Sequence, residues 1–167
     1  DLVSSFCKTH AIEKIANISS LGIQELMNIV CEHPLKNLGY NSPVKLFESG
    51  HVNDDTGTGF VHIAPNHGIE DFEVGLKNKL DNLPTVNESG IYTSNIPFFQ
   101  GVHVFKADEN VINELRNSKN LISCNNYLHS YPHSWRSKAP LIYRATSQWF
   151  ISLEHKGLRA RALSEID

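Results

Sequence analysis

Residues 56–75 constrain the fold more than any other part of the chain. Thr56-Gly-Thr-Gly-Phe-Val-His-Ile-Ala-Pro-Asn-His-Gly-Ile-Glu-Asp-Phe-Glu-Val-Gly75 reads as a strand, a tight loop and a helix in immediate succession. On a period-two strand over Phe60–Ala64, Val61 and Ile63 face one way, while Phe60, His62 and Ala64 face the other. Pro65 ends that strand, and Asn66-His67-Gly68 supplies turn chemistry. Ile69, Phe72, Leu76 and Leu80 then recur at helical spacing, which predicts a helix with one buried face and with Glu70, Asp71 and Glu73 in its first turn. The spacing brings Asp71 near the loop and near His62, leaving room for a small polar ligand between imidazole and carboxylate.

The remaining pattern is mixed and predicts an α+β domain without repeats. Leu2 to about Ile15 reads as helix, Asn28–Cys31 and Val44–Glu48 as short strands, and Asn87–Gly90 as a hairpin turn between Thr85-Val86 and Ile91–Thr93. Ala107–Lys119 reads as a second helix, capped by Asp108 and burying Val111, Ile112 and Leu115. Leu121–Tyr127 and Leu141–Thr146 have the branched and aromatic content of strands, and the chain turns helical again from Ser152. Trp135, Trp149 and Phe150 are expected to anchor the core.

With 167 residues and 40% hydrophobic content, the chain can form one globular domain. Its only methionine is Met27, and the apolar period begins at once with Leu2, Val3, Phe6 and Cys7, so it reads as an excised piece of a longer protein. Cys7, Cys31 and Cys124 are an odd number at unrelated spacings, which argues against a disulfide framework or a zinc ribbon and for a cytoplasmic location. No apolar run reaches the length of a membrane span, so no membrane partner is expected. A formal charge of −3 excludes a broad positive field for nucleic acid. Arg136, Lys138, Arg144, Lys156, Arg159 and Arg161 nevertheless make the last third locally basic, which suits either the end of an RNA strand or a solvated surface.

Two blocks resemble the editing domain of bacterial isoleucyl-tRNA synthetases. Gly57-Thr58-Gly59, Val61-His62, Ala64-Pro65, His67-Gly68 and Asp71-Phe72 match its GTG-x-VH-x-AP-x-HG-x-x-DF/DY pattern, and His129–Phe150 matches its HSYP-x-x-WR-x-K-x-P-x-I-x-RAT-x-QWF signature. The resemblance implies a β-barrel-like mixed sheet core with peripheral helices. It assigns residues 1–150 to the editing insertion and 151–167 to a helical connection toward the catalytic domain. A threonine-rich, TTTPWT-like segment of the family is absent from the chain, and so are HIGH-like and KMSKS-like motifs. The parent ligase would use ATP and magnesium, whereas this segment is expected to need no cofactor and no metal.

The implied activity is hydrolysis of valine mischarged on isoleucine tRNA, performed by a segment of a monomeric synthetase. Its partners would be the tRNA 3′ end and the remainder of the enzyme. Differential binding of one methylene is worth only about 1–3 kcal/mol, a limit for which this enzyme class is the standard illustration, so a second, size-inverted site is needed. His62 would form the wall that measures the side chain, and Asp71 would hold the α-ammonium. Tyr131 would pack on the terminal adenosine, with Thr58 and His67 contributing polar contacts. At the level of residues, alternatives stay open. His62 also suits a satisfied strand histidine, Asp71 a helix-dipole acid, His67 a loop brace, and Thr56 and Thr58 turn residues. Two other function classes stand beside the hydrolase. One is a metal-dependent hydrolase built on His62, His67, His129 and His133, the other a non-catalytic binder of the tRNA 3′ end.

Overall fold

Left-handed closures set the helix lengths in this protein, whose computed structural model describes residues 2–53 and 58–166. Ala11, Lys79 and Lys119 take φ values of 52°, 55° and 58°. Just beyond them, the N–H groups of Ile12, Leu80 and Asn120 return to the carbonyls of Cys7, Gly75 and Leu115 at 2.9 Å each. This is the Schellman closure, made here without the glycine that usually occupies the left-handed position. It explains why α1 spans Leu2–Thr9 and does not run on to Ile15 as the apolar period suggests. Once Ala11 turns left-handed, Ile12 and Ile15 no longer continue the same helical face.

Beyond α1 come α2 (Ile23–Met27), β1 (Val30–Cys31), β2 (Val44–Lys45), α3 (Ile69–Lys77), α4 (Asp108–Asn117) and α5 (Leu158–Ser164). Strand β1 pairs antiparallel with β2, with Val30 opposite Lys45 and Cys31 opposite Val44. Helices with a small sheet make the chain α+β, as its pattern predicts. The hairpin turn forms where expected: Asn87 Oδ1 accepts the N–H groups of Ser89 and Ile91 at 2.9 and 3.1 Å, and Val86 bridges Tyr92. Gly90 is required there twice over. Its φ is 73°, and a Cβ would lie 2.7 Å from Ile142 Cδ1 and 2.9 Å from His103 Nε2.

Several expectations are corrected. Phe60–Ala64, Leu121–Tyr127 and Leu141–Thr146 form no strand ladder among the described residues. Branched and aromatic content favours extended backbone, but a strand also needs a partner edge, which composition cannot supply. In α4 the N-cap is Ala107, and Asp108 is the first helical residue with no capping bond from its side chain, so it complements the helix dipole together with Glu109. Val111, Ile112 and Leu115 are half-buried, as their spacing predicts.

Trp135, Trp149 and Phe150 are not core anchors; they are 78, 101 and 89% exposed. Among the described residues, the buried apolar side chains are Leu35, Val74, Val86, Phe99 and Ala107. An accessible surface of 14167 Å² for 18.8 kDa compares with about 8,300 Å² expected of a compact monomer of that mass. The aromatic residues of the His129–Phe150 block therefore form part of a large uncovered apolar surface.

Candidate functional site

The Pro65–His67 turn is the junction on which the site is built. The N–H of His67 donates to Ala64 O at 2.9 Å and closes the turn. Asn66 is buried, the only polar side chain so placed among the described residues. Its Nδ2 donates to Leu83 O at 2.6 Å, and the backbone carbonyl of Asn66 accepts the N–H of Ala145 at 2.8 Å. His67 has both ring nitrogens engaged, Nδ1 with the Tyr143 carbonyl and Nε2 with Thr85 Oγ1, each at 2.7 Å. Since a carbonyl only accepts, Nδ1 carries the proton, and in the neutral ring Nε2 accepts from the threonine hydroxyl. Asn66 and His67 thus pin residues 83–85 and 143–145 to one loop. Glycine at 75 lets α3 lie against this turn, because a Cβ there would come within 3.0 Å of Pro65.

Asp71 occupies the first turn of α3, as its spacing predicts. Its Oδ2 accepts the Ala64 N–H at 3.0 Å, and its Oδ1 stands 3.8 Å from Nε2 of His51. The second nitrogen of His51 is held by Ser49 Oγ at 2.7 Å. His51 lines a cavity of about 280 Å³ together with Glu48, Ser49, Glu70 and Glu73. Sequence reasoning did not single out His51. It lies eleven residues before His62, with no period relating the two.

His62 is exposed on the extended segment before the turn, near His33. Burial holds the His33 imidazole below its ordinary value, and the charge of His62 pushes it the same way. The His33 ring stacks on Tyr40 with centroids 4.6 Å apart, and its Nδ1 accepts the Leu35 N–H at 3.1 Å. His33 lines a second cavity, of about 580 Å³, with Glu32, Lys36, Asn37 and Asn120. No hydrogen bond or ion pair joins His62 to Asp71 among the described residues. They are connected through Ala64, two residues after the histidine and bonded to the acid.

The other expected site residues are scattered. Thr58 Oγ1 is in a local turn, accepting the Phe60 N–H at 3.3 Å. Thr56 and Gly57 lie outside the described residues. Tyr131 donates its hydroxyl to Leu141 O at 2.8 Å and sits edge-on to His129, His133 and Phe105, the residue being 42% exposed. Among the described residues, no group of three or more His, Cys, Asp and Glu side chains is placed to hold a metal ion. Both nitrogens of His67 are already bonded, and Nδ1 of His133 donates to Tyr131 O at 2.8 Å. Of the basic residues, Arg159 pairs with Glu154 and Arg136 lies over the Trp135 ring, 4.9 Å from its centroid.

No family model matches the chain. Curated proteins do. It is 44% identical over 166 residues to the isoleucine--tRNA ligase of Pelagibacter ubique, covering 99% of this chain and 18% of that protein. The isoleucine--tRNA ligases of Francisella philomiragia and Pseudoalteromonas atlantica are each 43% identical over the same share of this chain and 17% of their own length. The chain therefore spans less than a fifth of the relatives it matches.

Proposed function

Because this chain is homologous over nearly its whole length to a segment of bacterial isoleucine--tRNA ligases, we propose that it is their editing segment, hydrolysing valine mischarged on isoleucine tRNA. In this reading residues 1–150 belong to the editing insertion and 151–167, which include α5, connect it to the catalytic part. The segment completes a barrel-like core with the rest of a cytoplasmic synthetase, whose other parts cover the apolar surface around Trp149 and Phe150.

The observation that carries the proposal is the placement of Asp71. One carboxylate oxygen is fixed by the Ala64 N–H, and the other is turned toward His51, which itself lines a cavity. A carboxylate oriented by backbone and holding one free oxygen suits a charge-assisted contact with an α-ammonium. An ester held by its ammonium presents its carbonyl in a fixed place, where water and the neighbouring ribose hydroxyl can act without a protein nucleophile. His62 is the size gauge, because overlap with an extra methylene is penalised more heavily than a small gap. Tyr131, with a large part of its ring open, offers a stacking surface to the terminal adenosine. His67, with both ring nitrogens bonded, and Thr58, in its local turn, brace the loop and offer their polar contacts beside the substrate.

The parent ligase, not this segment, would supply the ATP and magnesium chemistry. Deacylation assays on a full-length ligase carrying this segment test the reading: valine should leave isoleucine tRNA faster than isoleucine does. Equal rates, or no release of either, would reject it. A metal-dependent hydrolase would instead lose activity to a chelator, and a pure RNA-end binder would retain affinity without release.

A further inference from the structure

We infer that His51 is a second ligand for the substrate ammonium, sharing it with Asp71 beside the cavity that His51 lines between residues 48–51 and α3. The inference rests on the editing reading and extends it by one residue.

Three features point to His51. First, Asp71 has a single uncommitted oxygen, since Oδ2 already accepts the Ala64 N–H, and it is Oδ1 that faces the imidazole. Second, the imidazole is not a loose neighbour, because Ser49 Oγ holds its Nδ1 at 2.7 Å. When Nδ1 donates to that hydroxyl, Nε2 is left as an acceptor, its lone pair turned toward a carboxylate. Third, the separation is 3.8 Å, too long for a direct hydrogen bond and wide enough to admit a third group beside both atoms. In that tautomer the lone pair and the carboxylate repel, and a cation lying against both relieves the repulsion.

An ammonium fits that gap. With its nitrogen about 2.8 Å from each acceptor, two of its N–H bonds reach both, each bent by only about 18° from linear. The cavity wall behind carries Glu48, Glu70 and Glu73, against which Lys77 is the one lysine or arginine in the lining, so the local field favours a cation. Both side chains remain reachable, at 30% exposure for His51 and 19% for Asp71. The imidazole thus adds a directional contact that distinguishes an α-amino ester from one bearing a different group at that carbon.

The test uses a full-length ligase carrying this segment and two esters of isoleucine tRNA, one valyl and one in which a hydroxyl replaces the α-amine. His51→Leu should raise KM for the valyl ester about tenfold with kcat nearly unchanged, and shift the hydroxy ester by less than about twofold. His51→Gln, whose amide oxygen can still accept, should keep most of the valyl activity. Equal losses on both esters, no loss on the valyl ester, or a glutamine variant as impaired as the leucine one would overturn the assignment. Asp71→Asn in the same assay separates the two levels. If it is impaired on the valyl ester while His51→Leu is not, only His51 is misassigned. If Asp71→Asn is also inert, the editing reading itself fails.

Discussion

Asp71 Oδ2 accepts the backbone N–H of Ala64 at 3.0 Å, which ties the start of α3 to the segment carrying His62. The carboxylate is therefore a structural bridge as well as a candidate ligand, and the two roles separate by substitution. Asp71→Ala leaves the Ala64 N–H without its acceptor and should cost about 1–3 kcal/mol in urea unfolding. Asp71→Asn keeps an acceptor oxygen and should unfold within about 0.5 kcal/mol of the parent. Equal losses from both would show that charge, not the hydrogen bond, holds the bridge.

The sequence displayed this region well because its signals are local. Helix α3 forms where Ile69, Phe72 and Leu76 place it, although its face differs from the predicted one: Ile69 and Leu76 are 76 and 62% exposed, and α3 buries Val74 and Gly75 instead. Asn87–Gly90 writes the hairpin turn. What stayed hidden depends on distant partners. Phe60–Ala64 has the alternation of a strand, yet nothing in five residues names the edge it would pair with. Trp149 and Phe150 are apolar enough for a core, but whether they are covered depends on what packs against them, and here they are open. His51 escaped notice for the same reason: only folding brings residues 48–51 beside α3.

His62→Ala should relax size discrimination, since shortening the wall makes room for the extra methylene. Isoleucine release from correctly charged tRNA is the measurement, and it should rise toward the valine rate, a loss of discrimination on the scale of about 1–3 kcal/mol. A change confined to valine release would remove His62 from the sieve.

Asn66 is buried and its side-chain amide donates to Leu83 O at 2.6 Å. Asn66→Ala should destabilise the chain by about 1–3 kcal/mol by leaving that carbonyl unpaired. It should also speed hydrogen exchange at the Ala145 N–H, which bonds the Asn66 carbonyl. Unaltered exchange at Ala145 would mean that the backbone bond from Ala145 to residue 66 holds without the Asn66 side chain.

Stability should depend on the protonation of His33. Its folded value lies below the ordinary 6.5, first through burial and then through the charge of His62. The unfolded chain therefore binds this proton more readily. The contribution is fully present above about pH 6.5 and is lost as pH falls below that value. Histidine NMR should show His33 titrating below 6.5, and His62→Ala should move it upward. Titration above 6.5 would reverse the sign and contradict the burial of the ring.

The most direct measurement is the rate of valine release from mischarged isoleucine tRNA by a full-length ligase carrying this segment, with Asp71 intact and with Asp71→Asn. Release should fall to the uncatalysed rate in the variant while the protein unfolds as before, because the ammonium has lost its charged anchor. A variant that releases valine as fast as its parent would contradict the assignment of Asp71, and with it the placement of the hydrolytic site at this loop.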